Sequence, residues 1–373
     1  MDQASHKVVV CGAGGFIGGH LVRCLEAQGI AVRAVDIKPL ARWYQVNPRA
    51  ENLVLNLQDF RHCQHAVDGM SSVYQLAADM GGMGFIESNR ALCMLSSIIN
   101  SHMLVAAQEA GVRRFFYSSS ACVYNAEKQT SPDVAPLSED QAWPAMPEEG
   151  YGLEKLFGEQ MCIQFERDFG LACRIARYHN VYGPYGTWTG GREKAPAAIC
   201  RKVIEAKLTG RNEIEIWGDG TQTRSFMYID DCIAGTCMLF DSSFNQPLNI
   251  GSSELVSINQ LVDLVEEIAG VKLRRRYLLS APKGVNGRNS DNRLILETLH
   301  WQPTIRLRDG LASTYTWIEK EMLALSRPSF PRLPSIAKRP GLALLRPSLV
   351  AGPHLIPKSR IMRTLNEGMP PHR

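Results

Sequence analysis

A short β-branched run, Lys7-Val8-Val9-Val10-Cys11, ends in Gly12-Ala13-Gly14-Gly15-Phe16-Ile17-Gly18, and an apolar helical pattern through Leu21, Val22 and Leu25 follows to Gly29. The run suits a strand buried on both faces. The G-x-x-G-x-x-G spacing lets the chain turn tightly and brings the bare amides of a helix N-terminus close to a pyrophosphate. Ala31 to Val35 reads as the next strand and Asp36 ends it. A carboxylate there accepts from ribose hydroxyls and repels a 2′-phosphate. NAD is therefore expected over NADP, with Gly12, Gly15, Phe16, Ile17, Gly18 and Asp36 at its site. Arg33 and Lys38 are nearby cations that argue the other way.

The alternation continues. Leu53 to Leu55 precedes Asn56 and a helix from about Phe60 to Val67, and Ser72 to Ala78 reads as a strand with an open end. A helix over Ile98 to Glu109 leads into Arg114-Phe115-Phe116-Tyr117-Ser118-Ser119-Ser120, and Leu171 to Arg177 supplies a sixth strand. Strands alternating with helices predict an α/β, Rossmann-type doubly wound parallel sheet. Residues 7–182 are assigned to this dinucleotide-binding domain, with about 226–250 returning to it. Residues 183–325 form a smaller, interwoven substrate lobe. From about 326 to 373, prolines recur without period, which predicts a weakly ordered tail.

The serine strand is where chemistry is expected, because ligands collect at the carboxyl edge of such a sheet. Downstream, Tyr151 and Lys155 stand at i and i+4, one face of a helix. A lysine one turn away is expected to lower the phenol's pKa, so that Tyr151 exchanges a proton near neutral pH. Ser120 would hold a substrate hydroxyl beside it. Cys122, two residues further, adds a second titratable group.

Composition narrows the remaining classes. The chain has 373 residues, 45% apolar and 21% charged, with 10 cysteines and no C-x-x-C, which reads as reduced thiols in a cytoplasmic protein. No apolar run looks long enough to span a bilayer. The nine histidines lack ligand spacing, so no metal is expected. The net charge of +4 comes from the tail, where about nine basic residues face Glu367 alone. No nucleic-acid surface is implied for the main body; the tail could meet an acidic partner or be a solvated extension.

The glycine turn, Asp36, Ser120, Tyr151, Lys155 and Gly218-Asp219-Gly220-Thr221-Gln222-Thr223-Arg224 together resemble the extended short-chain dehydrogenase/reductase family, over roughly residues 7 to 320. Four further stretches are similar to its branch of 3,5-epimerases acting on GDP-mannose: Ala77 to Phe85, His179 to Pro184, Gly186 to Ala198 and Gly287 to Asn292. That resemblance implies conversion of GDP-D-mannose to GDP-L-galactose, with GDP-L-gulose as a second product. Tyr151 would take the C4 hydroxyl proton while bound NAD takes the hydride. Cys122 and Lys194 would then exchange protons beside the 4-keto group from opposite faces of the ring. Substrate-binding positions carried over are Gly82, Ser120, Ala121, Cys122, Asn180, Lys194, Lys202, Gln222, Thr223, Arg224 and Arg288. Lys202, Arg224 and Arg288 suit the diphosphate. A thiolate at Cys122 near Lys155 and the nicotinamide is expected to have a lowered pKa. The family's usual aspartate before Leu57 is replaced by Asn56, whose amide oxygen can still accept from adenine. The resemblance further implies a homodimer; ascorbate and polysaccharide routes fit its product equally.

Each residue also has a plainer reading. Cys122 can be a small buried thiol, Lys194 a solvated surface lysine, and His179 a structural imidazole. Trp188 and Trp217 can be packing residues or line the pocket. Competing activities are a nucleotide-sugar 4-epimerase or 4,6-dehydratase, which needs no Cys122/Lys194 pair, and an NAD-binding sensor, which has no use for Ser120, Tyr151 and Lys155.

Overall fold

The computed structural model describes residues 6–326. Its centre is a seven-stranded sheet. Strands β1 (Lys7–Cys11), β2 (Ala31–Asp36), β3 (Glu51–Val54), β4 (Ser72–Gln75), β5 (Arg114–Ser120) and β6 (Ala172–Tyr178) are joined by the strand Leu248–Ile250. Across the sheet the order is β3, β2, β1, β4, β5, β6 and then Leu248–Ile250, with every neighbour parallel. The crossovers place helices on both faces, so an inner strand such as β1 is buried on both sides and reads as a continuous apolar run, while the edge strand β3 is partly exposed. Val8, Val9 and Val10 are fully buried. One face packs against Phe16–Ala27 and Ile229–Asp241 through Leu21, Leu25, Ile233 and Phe240. The other packs against Phe60–Val67 and Ser96–Glu109 through Cys63, Ala66, Met103 and Leu104.

A second core lies in the lobe, where helices Ala195–Thr209, Ile258–Ala269 and Leu307–Ser326 bury Val203, Val262, Leu311 and Ile318 with Ile214, Ile216 and Phe226. Its strands are short. Glu213–Trp217 pairs with Arg274–Leu278, and Thr223–Ser225 lies between Leu255–Ser257 and Gly287–Arg288. The interweaving goes further than the sequence indicated. The helix Arg293–Leu299 and Trp301 pack back onto the first core through Leu294, Ile295 and Leu299.

Three local expectations are corrected. The fourth strand stops at Gln75 instead of reaching Ala78, because the chain there bends under the glycine turn, with Ala77 against Gly12. Two short helices, Met83–Ser88 and Arg90–Met94, precede Ser96–Glu109. The stretch Arg90–Glu109 proves long and apolar enough to cross a bilayer by length and composition; here it packs on the sheet with Cys93, Met103, Leu104 and Ala107 buried. The expected weakly ordered tail lies, beyond Ser326, outside the described residues.

Candidate active site

The glycine turn leads directly from β1 into the helix Phe16–Ala27. Gly12 adopts φ +82°, and a Cβ on Gly18 would stand 2.2 Å from the Gly12 carbonyl oxygen, so neither position admits a larger residue without rearrangement. Gly15 caps the helix with no side-chain hydrogen bond, and the first-turn amides of Phe16, Ile17 and Gly18 have no carbonyl four residues back within the helix. This bare, positive helix end fits the pyrophosphate of NAD. Asp36 is buried at the end of β2, its Oδ1 accepting from the Lys38 amide at 2.9 Å. Arg33 is committed elsewhere, to Glu51 at 2.8 Å and to the carbonyls of His65, Ala66 and Asp68. Lys38 donates to the Gly14 carbonyl at 2.7 Å. Arg33 is thus not free to clamp a 2′-phosphate, and Lys38 is tied to the glycine turn. Asn56 Oδ1 already accepts from the Gln58 amide at 3.1 Å, which leaves it one lone pair for adenine.

Strand alternation sorts the three serines. Ser119 points into the protein and donates to Glu159 at 2.5 Å, itself bidentate with Arg177. Ser120 faces the other way, into a cavity of about 280 Å³, where its Oγ accepts from the Cys122 amide at 3.2 Å. The helix Tyr151–Phe169 lies directly on this turn because Gly152 lacks a side chain, and Tyr151 stands beside Ser120 and Cys122 in the same cavity. Lys155 is buried, with Nζ 5.6 Å from the centre of the Tyr151 ring and 4.9 Å from that of Tyr117.

The expected lowering of the Tyr151 pKa is corrected. Burial pushes the phenol well up, and the neighbouring Cys122 and Glu154 add to it against a hydrogen bond with Ser120. The helix spacing alone does not reveal that Lys155 shares its charge with Glu154, a buried carboxylate 3.8 Å away. Glu154 also accepts from Asn100 at 2.5 Å, and burial raises its own pKa despite Lys155.

Cys122 and Lys194 line the cavity from separate segments, the turn after β5 and the residue capping the helix Ala195–Thr209. The chain's own groups act on the thiol in both directions. Burial raises its pKa and Glu148 raises it further, outweighing Arg288, Ser120 and Lys194. Burial lowers the pKa of Lys194. Burial thus favours the uncharged form of both groups.

Of the remaining substrate positions, Gly82, Ala121, Asn180, Lys202, Gln222, Arg224 and Arg288 all line the cavity. Gly82 is closed against the Glu193 carbonyl, which a Cβ would meet at 2.4 Å. Asn180, at φ 40°, donates to the Ser225 carbonyl at 3.0 Å. Gln222 donates to the Trp217 carbonyl at 2.9 Å, while its buried Oε1 has no partner among the described residues and offers an acceptor to a ligand. Thr223 is the exception. It points off the cavity and donates to the Pro132 carbonyl at 2.5 Å, as alternation along Thr223–Ser225 dictates once Arg224 points in.

Arg288 is placed differently from the diphosphate role. Its Nη1 lies 3.5 Å from Cys122 Sγ, at the reacting end. Arg224 is held by the carbonyls of Thr223, Lys283 and Val285, and burial followed by Arg288 pushes its pKa down to about 10. Lys202 donates to the Glu215 carbonyl at 2.9 Å. Apart from Lys194 and Arg288 beside Cys122, the cations Arg201, Lys202, Arg224 and Lys283 line the cavity against Glu193 and Glu215, an excess suited to a doubly charged diphosphate. Trp217 also lines it, 42% exposed, whereas Trp188 packs in the lobe core. His179 is structural: Nε2 bonds Asn249 at 2.9 Å, and burial drives its pKa down to about 3. No cluster of metal-ligating side chains occurs among the described residues. The sequence reading missed Glu148 and Gln129, which support the site from outside any motif, and Glu154, which stands inside the Tyr151–Lys155 stretch.

Comparisons with known proteins agree with this geometry. Residues 8–251 match the model of the NAD dependent epimerase/dehydratase family. GDP-mannose 3,5-epimerase 1 of Oryza sativa subsp. japonica is 46% identical over 317 residues, covering 85% of this chain and 82% of that protein. GDP-mannose 3,5-epimerase of Arabidopsis thaliana is likewise 46% identical over 317 residues, covering 85% and 83%. The solved UDP-glucose 4-epimerase of Thermotoga maritima, with UDP-glucose, superposes with a TM-score of 0.77 at 25% identity, covering 85% of this chain and 99% of that one. A bare helix end behind a glycine turn, a buried Asp36 and a Ser120–Tyr151–Lys155 set at the sheet edge place this chain in the NAD dependent epimerase/dehydratase family.

Proposed function

We propose that this chain converts GDP-α-D-mannose to GDP-β-L-galactose, with GDP-L-gulose as a second product, by inversion at C3 and C5. The observation that carries the reading is that Cys122 and Lys194, on separate segments, share one cavity with Ser120 and Tyr151. A 4-epimerase or 4,6-dehydratase has no need of that pair. The 46% identity to proteins named GDP-mannose 3,5-epimerase supports the substrate.

Gly12, Gly15, Phe16, Ile17, Gly18, Asp36, Asn56, Tyr151 and Lys155 are the residues that would hold NAD. Bound NAD supplies reversible hydride exchange at C4 of the hexose. Ser120 holds the C4 hydroxyl, and Tyr151, ionised once the charges of Lys155 and of a bound nicotinamide act on the phenol, would take its proton. Once C4 is a ketone, the hydrogens on C3 and C5 lie α to a carbonyl and become acidic. Cys122 removes such a proton and Lys194 delivers one to the opposite face; a single group would return the proton where it left. Arg224, Lys202 and Gln222 anchor the nucleotide. Tyr151 finally returns its proton to the C4 oxygen.

The test is incubation with GDP-D-mannose in deuterated water without added NAD, read by NMR and mass. Deuterium at C3 and C5 with a GDP-L-galactose signal is expected. Deuterium at C5 alone identifies a gulose-forming enzyme, and no uptake even with NAD supplied refutes the reading.

The proposal extends to a homodimer. The helices Ser96–Glu109 and Tyr151–Phe169 pack side by side, and their outer surface carries Ile98, Leu153 and Phe157, with Leu95 at its edge, all at least 38% exposed. The cysteines of the described residues are all unpaired, which suits a reducing compartment, and we place the enzyme in the cytoplasm.

A further inference from the structure

The helix Ala195–Thr209 runs along the cavity from its reacting end. Lys194 caps it there, and Lys202 lines the same cavity eight residues on, about 12 Å away at roughly 1.5 Å per residue. At that far end Lys202 meets the strand Glu213–Trp217, where Ile214 and Ile216 pack in the lobe core and alternation leaves Glu215 and Trp217 on the opposite face. Lys202 Nζ spends one of its three protons on the Glu215 carbonyl at 2.9 Å. It stands 4.0 Å from Glu215 Oε1, too far to hydrogen-bond. Glu215 Oε2 accepts from Arg276 at 2.6 Å, whereas Oε1 accepts no hydrogen bond among the described residues. A spare donor and a spare acceptor therefore stand side by side on the cavity wall. Trp217 lines the wall next to them, its ring centre 5.9 Å from Lys202 Nζ.

An indole face stacks any base and selects none. The pair beside it does select. Guanine presents its O6 acceptor next to an N1–H donor, and adenine presents the reverse, an N6 amine next to a bare N1. Lys202 matches O6 and Glu215 Oε1 matches N1–H. Adenine would set donor against donor and acceptor against acceptor. Uracil offers a like edge, but on a single ring that ends closer to its ribose. The cavity's other carboxylate, Glu193, is held by its own surroundings, accepting from the Gly191 amide at 2.7 Å and from Arg201 at 3.5 Å. We propose that Glu215, with Lys202, reads the guanine base and is the residue that sets nucleotide specificity. The proposal deepens the GDP-mannose reading and rests on it. Arg201, Arg224 and Lys283 remain for the diphosphate.

The test is isothermal titration calorimetry of GDP, IDP, ADP and UDP against the enzyme saturated with NAD, which keeps ADP off the dinucleotide site. All these ligands carry the same diphosphate, so ratios of their dissociation constants report the base alone. The wild type binds ADP at least about tenfold more weakly than GDP, the order expected of one bidentate pair. IDP stays within about fivefold of GDP, because hypoxanthine keeps O6 and N1–H. In Glu215→Ala the ADP-to-GDP ratio falls below about threefold, and the binding that remains shows that the variant is folded. A ratio that stays above about threefold in Glu215→Ala overturns the proposal, including the case in which both ligands weaken equally. IDP binding the wild type as weakly as ADP also overturns it, since the exocyclic amine and not the O6/N1–H edge would then be read. Either result leaves the GDP substrate standing. A wild type that binds ADP or UDP as tightly as GDP refutes the guanosine substrate itself, and the proposal falls with it.

Discussion

Replacing Gly152 by alanine tests how the helix carrying Tyr151 is joined to the turn carrying Cys122. A Cβ there would stand 2.3 Å from the Cys122 carbonyl oxygen and 3.1 Å from its carbon. Both are backbone atoms, so no rotamer change relieves the contact. Ordinary contact begins near 3.5 Å, so helix and turn must separate by about 1 Å. Overpacking of this kind costs about 1–3 kcal/mol, a modest part of a folded protein's typical 5–15 kcal/mol. The variant should therefore fold, melting a few degrees lower. The site should suffer more, because Tyr151 moves with the helix away from Ser120 and Cys122, and a 1 Å misplacement costs on the order of 10²-fold in rate. The assay is the initial rate of deuterium incorporation into GDP-mannose, with released dinucleotide measured by absorbance to show that the cofactor end is intact. About a hundredfold loss with retained dinucleotide is expected. A folded Gly152→Ala enzyme within threefold of wild type would refute the reasoning.

Further expectations concern the acid–base groups, pH and assembly. Cys122→Ala and Lys194→Ala each abolish deuterium exchange at C3 and C5 while sparing C4 oxidation, seen as dinucleotide reduction at 340 nm, whereas Tyr151→Phe nearly abolishes that reduction; epimer formation by Cys122→Ala removes the thiol from the mechanism. His179 has a depressed folded pKa of about 3, so its contribution to stability is present above the unfolded value of about 6.5 and is lost as pH falls toward 3. The ceiling on that loss is roughly 4–5 kcal/mol. Denaturant midpoints of His179→Gln should fall less steeply over this range than those of wild type, and parallel curves would contradict the assignment. Leu153→Glu with Phe157→Glu, both on the exposed apolar face, should convert a dimer to monomers in light scattering; a monomeric wild type would end that proposal.

Much of the fold was legible because its signals are local. The glycine turn, the strand before it and Asp36 after it specify a dinucleotide-binding β–α–β unit through backbone periodicity and turn chemistry, which depend on neighbours in the chain. Ser120, Tyr151 and Lys155 were legible for the same reason: an open strand end, and an i, i+4 pair. The family resemblance, not spacing, supplied Lys194, Gln222 and Arg224 as pocket residues. Tertiary structure alone decided the rest. Arg288 meets Cys122 across 166 positions of sequence, Glu148 enters the site from a loop without pattern, and the helix Arg293–Leu299 returns to the first core. Side-chain direction along the short strand Thr223–Ser225 turned Thr223 out and Arg224 in. The proton affinity of Tyr151 ran opposite to the expectation from Lys155 alone. A pKa depends on burial and on every charge that the fold brings near, and those are properties of the packed chain, which no spacing of residues encodes.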